Sequence, residues 1–357
     1  SSRVYFALHH LIVDSVSWRI LTEDLRDIYN QKDLRPKGSS YRQWVNTVSE
    51  YANTHKAETD YWVKVLSSYD NSNNNQLTIL AHGINTQSYA DLQLNQEQTK
   101  QLLRESNRAY HTQVNDILLT ALGYTLSEIT GNKTNHIVLE GHGREGIDAT
   151  IDITRTLGWF TTMYPVVLEV SEDLGNSLKN IKEDLRQIPN KGIGYGALIG
   201  YRSGVESRLQ LQQHTLPRIS FNYLGQFGKE DKLQSSQVQT SFWNIVSEGS
   251  GISMHSDNQD YNIININGMV IDNELKFSIA SKLDESVTNK IAEVFKQKLE
   301  EIITHTVNQT RNYLTASDID NIISQEHLNK LQESRAIEGS YLANSLQQGF
   351  IYHALNQ

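Results

Sequence analysis

The sequence predicts an α/β protein built in two lobes, on three observations. Apolar runs of strand length alternate along the chain with segments whose apolar residues recur at helical spacing. A polar, turn-rich tract, Ser67-Ser-Tyr-Asp-Asn-Ser-Asn-Asn-Asn-Gln76, interrupts that alternation and marks a lobe boundary. The 357 residues suffice for two or three packed units at roughly 100–200 residues per domain.

Taken in order, Val4 to Leu8 reads as a buried strand that runs into His9-His10-Leu-Ile-Val-Asp14. Trp18, Ile20, Leu21, Leu25 and Ile28 then share one helical face, as do Tyr41, Trp44, Val45, Val48 and Tyr51, and later Tyr61, Trp62, Val65 and Leu66. Residues 1–66 form the first lobe's portion, and 67–87 an inter-lobe linker. The second lobe, 88–310, opens with a strand from Ser88 to Leu94 and a helix from Asn95 to about Tyr110. Another helix lies around Val114, Ile117, Leu118, Ala121 and Leu122. His136 to Glu140 is a strand ending in Gly141-His142-Gly143-Arg144-Glu145. Met163 to Val170 and Pro217 to Leu224 are further strands. Tyr261 to Ile271 and Glu274 to Ser281 form a hairpin closed by Asp272-Asn273, and Glu285 to about Thr306 is a helix. Residues 311–340 read as an interdomain linker with one or two short helices. From Tyr341 to Gln357 the chain turns apolar and aromatic again, as the opening of another domain.

Composition narrows the function. A hydrophobic content of 38% with 20% charge describes an ordinary globular protein. The net charge of -9 argues against non-specific nucleic-acid binding, which needs a basic surface. The absence of cysteine excludes a disulfide scaffold and thiolate zinc sites, and with no basic-plus-apolar leader it fits a cytoplasmic location. No apolar run approaches the ~20 residues of a membrane-spanning helix. Metal binding is poorly supported: there is no His-Glu-x-x-His and no His-x-His, and adjacent His9 and His10 on a strand would point to opposite faces. Only one of the pair can face a cleft, and His10 is the choice. A strand that ends in an imidazole and turns into a helix holds a base rigidly, and Asp14 can fix the loop or the ring.

Five further segments sharpen the reading. They are Ser17-Trp18-Arg-Ile-Leu21, Glu140-Gly-His-Gly-Arg144-Glu145, Arg155-Thr-Leu-Gly-Trp159-Phe-Thr-Thr-Met-Tyr164-Pro165, Pro189-Asn-Lys-Gly192-Ile-Gly194-Tyr195-Gly196, and Phe221-Asn222-Tyr223-Leu224-Gly225. In this order and spacing, with His-His-x-x-x-Asp, they resemble the epimerization domain of nonribosomal peptide synthetases, a branch of the condensation-domain superfamily. The resemblance spans about residues 3 to 310. It implies the two-lobed chloramphenicol-acetyltransferase-like fold, with the first lobe incomplete. The His-His-x-x-x-Asp motif is common to the superfamily; Ser17-Trp18, Glu-Gly-His-Gly-Arg-Glu and Phe-Asn-Tyr-Leu-Gly separate epimerization from condensation. Ser15 stands where condensation domains usually carry glycine. Tyr341 to Leu355 resembles the first motif of a following condensation domain, so the chain reads as a piece of a larger multienzyme.

The resemblance implies a substrate, an aminoacyl or peptidyl thioester on the 4'-phosphopantetheine arm of an upstream carrier protein, inverted at Cα from L to D. Two acid-base groups on opposite sides of that carbon suffice, with no metal or cofactor bound by the domain itself. They are His10 and Glu140; Glu145 competes on spacing, but the motif places the acid-base residue at the first glutamate. Asp14 is expected to be structural and ion-paired, with Arg155 as its partner. Arg144, Asn222 and Tyr223 are expected to polarise the thioester carbonyl or place the glutamate. His9, Trp18 and Trp159 are assigned to the motif's framework. The Gly192-x-Gly194-x-Gly196 run lacks the spacing of a phosphate loop and reads as close backbone packing. A peptide-bond-forming condensation domain and a catalytically silent interface module are the competing functions.

Overall fold

The computed structural model describes residues 3–70, 77, 80–81, 87–201, 205–227, 251, 255, 258 and 260–355. The chain divides into two compact units that interleave in sequence. One comprises Ser1–Gln93, Asn135–Val167 and Ile188–Ala292, the other Leu94–Thr134, Leu168–Gln187 and Glu293–Gln357.

The first unit carries a six-stranded mixed sheet of order β1-β6-β5-β4-β2-β3. Its strands are β1 (Ser88–Gln93), β2 (Thr134–Gly141), β3 (Thr162–Glu169), β4 (Ile219–Phe227), β5 (Ile264–Ile271) and β6 (Glu274–Ser281). At the centre β4 runs parallel to both β2 and β5, while β5 and β6 form an antiparallel hairpin that β1 extends. That hairpin closes as the sequence predicts: Asp272 and Asn273 take left-handed φ of 51° and 65°, the conformation a two-residue turn needs to match the strand twist. β6 alternates buried and exposed residues in register with a face that buries Leu275, Phe277 and Ile279.

Helices α1 (Ser15–Tyr29), α2 (Tyr41–Thr54), α3 (Glu58–Asp70), α7 (Ile193–Gly200) and α8 (Val205–Gln212) belong to the same unit. Ser40 and Gln43 start α2 with reciprocal side-chain caps. Its apolar face, Trp44, Val48, Tyr51 and Ala52, packs on Ile153, Phe160, Ile193 and Ala197. Two of the three glycines in the Gly192 run are close approaches, as expected. A Cβ at Gly192 would lie 2.0 Å from the Tyr164 ring and one at Gly194 1.8 Å from the Glu58 carboxylate, while Gly196 faces open space.

The second unit holds α4 (Gln96–Arg104), α5 (Val114–Thr130), α6 (Leu174–Gln187), the later part of α9 (Glu285–Val307), α10 (Gln325–Ser334) and α11 (Ser345–Leu355). The segment read as a linker at 311–340 is packed here: Leu314, Ile319 and Leu328 form an apolar cluster. Gln332 satisfies both backbone groups of Leu314, at 2.6 and 2.9 Å. Lys182, 1% exposed, pairs with Asp318 at 2.5 Å and donates to the Tyr110 carbonyl at 3.0 Å.

Three expectations need correction. Val4 to Leu8 is not a buried strand: none of the six strands pairs with it, and Val4, Tyr5, Phe6 and Leu8 are exposed. An apolar run becomes a strand only where a neighbour completes its ladder. Ser67 to Asp70, expected as loop, are the end of α3; the rest of that tract, residues 71–76, lies outside the described residues. The helix predicted from Asn95 to Tyr110 stops at Arg104 and continues as turns. Among the described residues no helix is long and apolar enough to cross a membrane.

Candidate active site

Parallel pairing of β2 with β4 builds the acidic half of the site. Val138 is in register with Ser220 and Leu139 with Phe221. Because strand side chains alternate faces, Val138 and Glu140 share one face with Ser220 and Asn222. The Glu140 carboxylate accepts a hydrogen bond at each oxygen: Ser220 Oγ donates to Oε1 at 3.2 Å and Asn222 Nδ2 to Oε2 at 2.9 Å. Burial raises the Glu140 carboxyl above its ordinary pKa, and the Ser220 hydrogen bond and the His10 charge act in the opposite direction. Tyr223, next along β4, falls on the opposite face with Phe277, their ring centroids 6.5 Å apart. Burial pushes its hydroxyl up to about 12, and it is not brought to the carboxylate.

His10 opens a short 3₁₀ turn, His10–Ile12, rather than ending a strand. His9 caps that turn, its Nδ1 accepting from the Leu11 N–H at 3.1 Å. The His10 ring stands edge-on to Trp159 with centroids 5.4 Å apart. Trp159 is 38% exposed and is a wall beside the imidazole, whereas Trp18 is half-buried on α1.

Asp14 has an arginine partner, but it is Arg144 and not Arg155. Asp14 is the N-cap of α1, accepting from the Ser17 N–H at 2.6 Å. Its carboxylate also takes Arg144 Nη2 at 3.2 Å and the Phe160 N–H at 3.1 Å. Burial would raise its pKa, but bonds from the Ser17 side chain and backbone, the Arg144 charge and the Phe160 N–H together hold it below the ordinary value. Both terminal nitrogens of Arg144 are engaged in this clasp. Its Nη1 donates to the carbonyls of Ile153 and Thr156 at 2.9 and 2.7 Å, Nη2 also reaches Ser17 Oγ at 3.0 Å, and the guanidinium lies 3.9 Å over Phe160. It is therefore a scaffold cation and is not turned to Glu140. Arg155 instead reaches Glu23 at 2.8 Å and Asp24, both on α1.

Gly143 allows the Glu140 loop to close on this clasp: its φ is +66°, and a Cβ there would sit 1.6 Å from the Phe160 carbonyl. Glu145, the competing acid, is already committed to Lys191 at 3.0 Å and His142 at 3.2 Å. Sequence reasoning missed Ser220. The available signal was its place two residues before Asn222 on one strand, hence on the same face. Among the described residues no cluster of three or more histidine, aspartate or glutamate side chains is placed to hold a metal ion.

Fold and site together define a mixed α/β domain in which a strand-borne carboxyl group lies within electrostatic range of an imidazole on a short turn. The condensation-domain family model matches residues 1–321, and the chain belongs to that family. It is 36% identical over 98% of its length to bacitracin synthase 3 of Bacillus licheniformis, and 36% identical over 88% to gramicidin S synthase 1 of Brevibacillus brevis. It spans 6% and 30% of those two proteins. Among solved structures, the epimerization domain from the third module of tyrocidine synthetase B aligns with 84% of this chain and 68% of its own, at 33% identity and a TM-score of 0.71. The condensation domain of Monacolin K polyketide synthase shares the fold at 13% identity, with a TM-score of 0.57 over 84% of this chain and 69% of its own.

Proposed function

We propose that this domain epimerizes the Cα of an aminoacyl or peptidyl thioester carried on the phosphopantetheine arm of a carrier protein in nonribosomal peptide synthesis. The observation that carries this reading is Glu140, a buried carboxyl group held at both oxygens and within range of the His10 charge. Thioester resonance is weak, so the Cα proton is acidic enough for a side-chain base. One of the pair removes it, the electron pair passes into the thioester carbonyl, and the other returns a proton to the opposite face. A glutamate pKa raised by burial lies closer to working pH, which favours both halves of the exchange. Likeness at 33% identity to an epimerization domain supports the same reading. Peptide-bond formation needs no second acid-base carboxylate, so the condensation alternative leaves the Ser220–Glu140–Asn222 arrangement unused.

The proposal extends to context: a large cytoplasmic multienzyme, a carrier protein upstream, and a condensation domain opening at about residue 341. The test is stereoisomer analysis of a carrier-bound aminoacyl thioester after hydrolysis, with the domain in its full-length multienzyme. His10→Ala and Glu140→Gln should each lower inversion by roughly 10²–10⁴, the usual worth of one acid-base group. Glu145→Gln should stay near wild type. Free amino acid should hardly react, because its carboxylate hinders Cα deprotonation and it lacks the tethering arm. A normal Glu140→Gln beside a dead Glu145→Gln would reassign the second base, and peptide-bond formation without inversion would favour the condensation reading.

A further inference from the structure

Ser220 belongs to none of the motifs that identify the site, yet its hydroxyl stands 3.2 Å from Glu140 Oε1. The residue is 4% exposed on the central strand, flanked by fully buried Phe221. The pairing of β2 with β4 fixes it: Ser220 is in register with Val138, two residues before Glu140. Asn222 holds the other oxygen through its amide N–H at 2.9 Å.

The two partners differ in what they can do. An amide NH₂ group only donates, so it suits a carboxylate and offers nothing to a carboxylic acid proton. A hydroxyl donates to a carboxylate and, by rotating, accepts from a carboxylic acid. An acid-base group that cycles between both states needs a partner of the second kind. We propose that Ser220 is a positioning residue for Glu140, holding the side chain through its ionised and protonated states while Asn222 anchors the opposite oxygen. When the substrate Cα–H bond breaks, its proton forms an O–H bond on Glu140 and the electron pair moves into the thioester carbonyl. The other member of the pair delivers a proton to the opposite face, and an Oε1–H on Glu140 can donate to Ser220 Oγ until it is released to solvent after turnover. Among the described residues, the groups that act on the carboxylate are Ser220 and Asn222 from β4, both uncharged, and His10 from the N-terminal segment, whose charge it feels. The role in turnover rests on the epimerase reading; the coupling of Ser220 to Glu140 does not.

Two readouts test it. Titration of the Glu140 carboxyl carbon by ¹³C NMR, assigned with Glu140→Gln in the 357-residue chain, reports the pKa directly. The acidic limb of the pH profile for inversion, measured in the full-length multienzyme, reports the same group in turnover. Ser220→Ala should raise both by about one pH unit, the order expected for one lost hydrogen bond to a charged acceptor, and slow inversion about tenfold. Ser220→Thr, which keeps the hydroxyl, should restore both. An unmoved pKa in Ser220→Ala, or an equal shift in Ser220→Thr, would overturn the proposal. A carbon shift that follows the hydroxyl, in a wild-type multienzyme that inverts no substrate, would uphold the coupling and overturn only the epimerase reading.

Discussion

Removing the Arg144 guanidinium is the most informative single perturbation of this domain. Its side chain is 7% exposed and that of Asp14 3%, so Arg144→Met leaves a carboxylate buried without its cation. The carbonyls of Ile153 and Thr156 lose their donors in the same step. Breaking one side of a buried pair costs roughly 3–5 kcal/mol. The N–H groups of Ser17 and Phe160 still reach Asp14, which places the expected loss in the lower half of that range. Arg155→Met is the control: Arg155 is 22% exposed and its partners 39% and 33%, so solvent screens the pairs and the loss should be about 0–1 kcal/mol. Urea unfolding followed by tryptophan fluorescence compares the two. Asp14 has a lowered pKa in the folded state, so its contribution is complete above the unfolded value of about 3.9 and is lost as pH falls through the folded one. The gap between wild type and Arg144→Met should therefore narrow in acid, to the part that belongs to the Ile153 and Thr156 carbonyls. Equal losses from Arg144→Met and Arg155→Met at pH 7, or a gap that persists unchanged in acid, would refute the assignment.

Two further outcomes follow from the same geometry. His136 is buried on β2 with Nε2 2.7 Å from Ser68 Oγ, and burial lowers its pKa from 6.5 to about 4. The unfolded chain protonates first, so stability should fall by roughly 3 kcal/mol as pH drops from 6.5 to 4, at about 1.36 kcal/mol per unit; urea titrations in which His136→Gln keeps the same slope would contradict this. Gly143→Ala should destabilise the site loop more than any single surface change, because its Cβ would meet the Phe160 carbonyl at 1.6 Å; a melting temperature within a degree or two of wild type would show that the loop relaxes freely.

Much of the sheet was legible because strand burial writes itself in alternation and turn chemistry. Asp272-Asn273 is a two-residue turn in sequence and in structure. The Glu140 strand was legible for the same reason, an apolar run ending in glycine. Misreadings arose where the deciding interaction is distant in sequence. Val4 to Leu8 has strand composition, but composition does not supply a neighbouring ladder. The polar tract at 311–340 hides Leu314, Ile319 and Leu328, three apolar residues too far apart to form a periodic signal. Asp14 needed a cation, as a buried carboxylate must, but Arg144 and Arg155 of the quoted motifs lie only eleven residues apart, and only the fold chooses between them.

That choice explains the spacing of the two signature motifs. Asp14 lies four residues after His10 and Arg144 four after Glu140, and these two outer residues meet as the ion pair. His10 and Glu140 are thus each followed at the same interval by half of a buried clasp. Ser17 adds a third loop by donating to the Gly158 carbonyl at 2.9 Å and accepting its N–H at 3.1 Å. The Phe160 N–H then binds Asp14, which sets Trp159 between two fixed residues and beside His10. The clasp is built from residues other than His10 and Glu140. It gathers the His10 loop, the Glu140 loop and the 153–160 loop through Asp14, Ser17 and Arg144. The two motifs therefore record, beside the residues proposed to react, the ion pair that holds their loops in place.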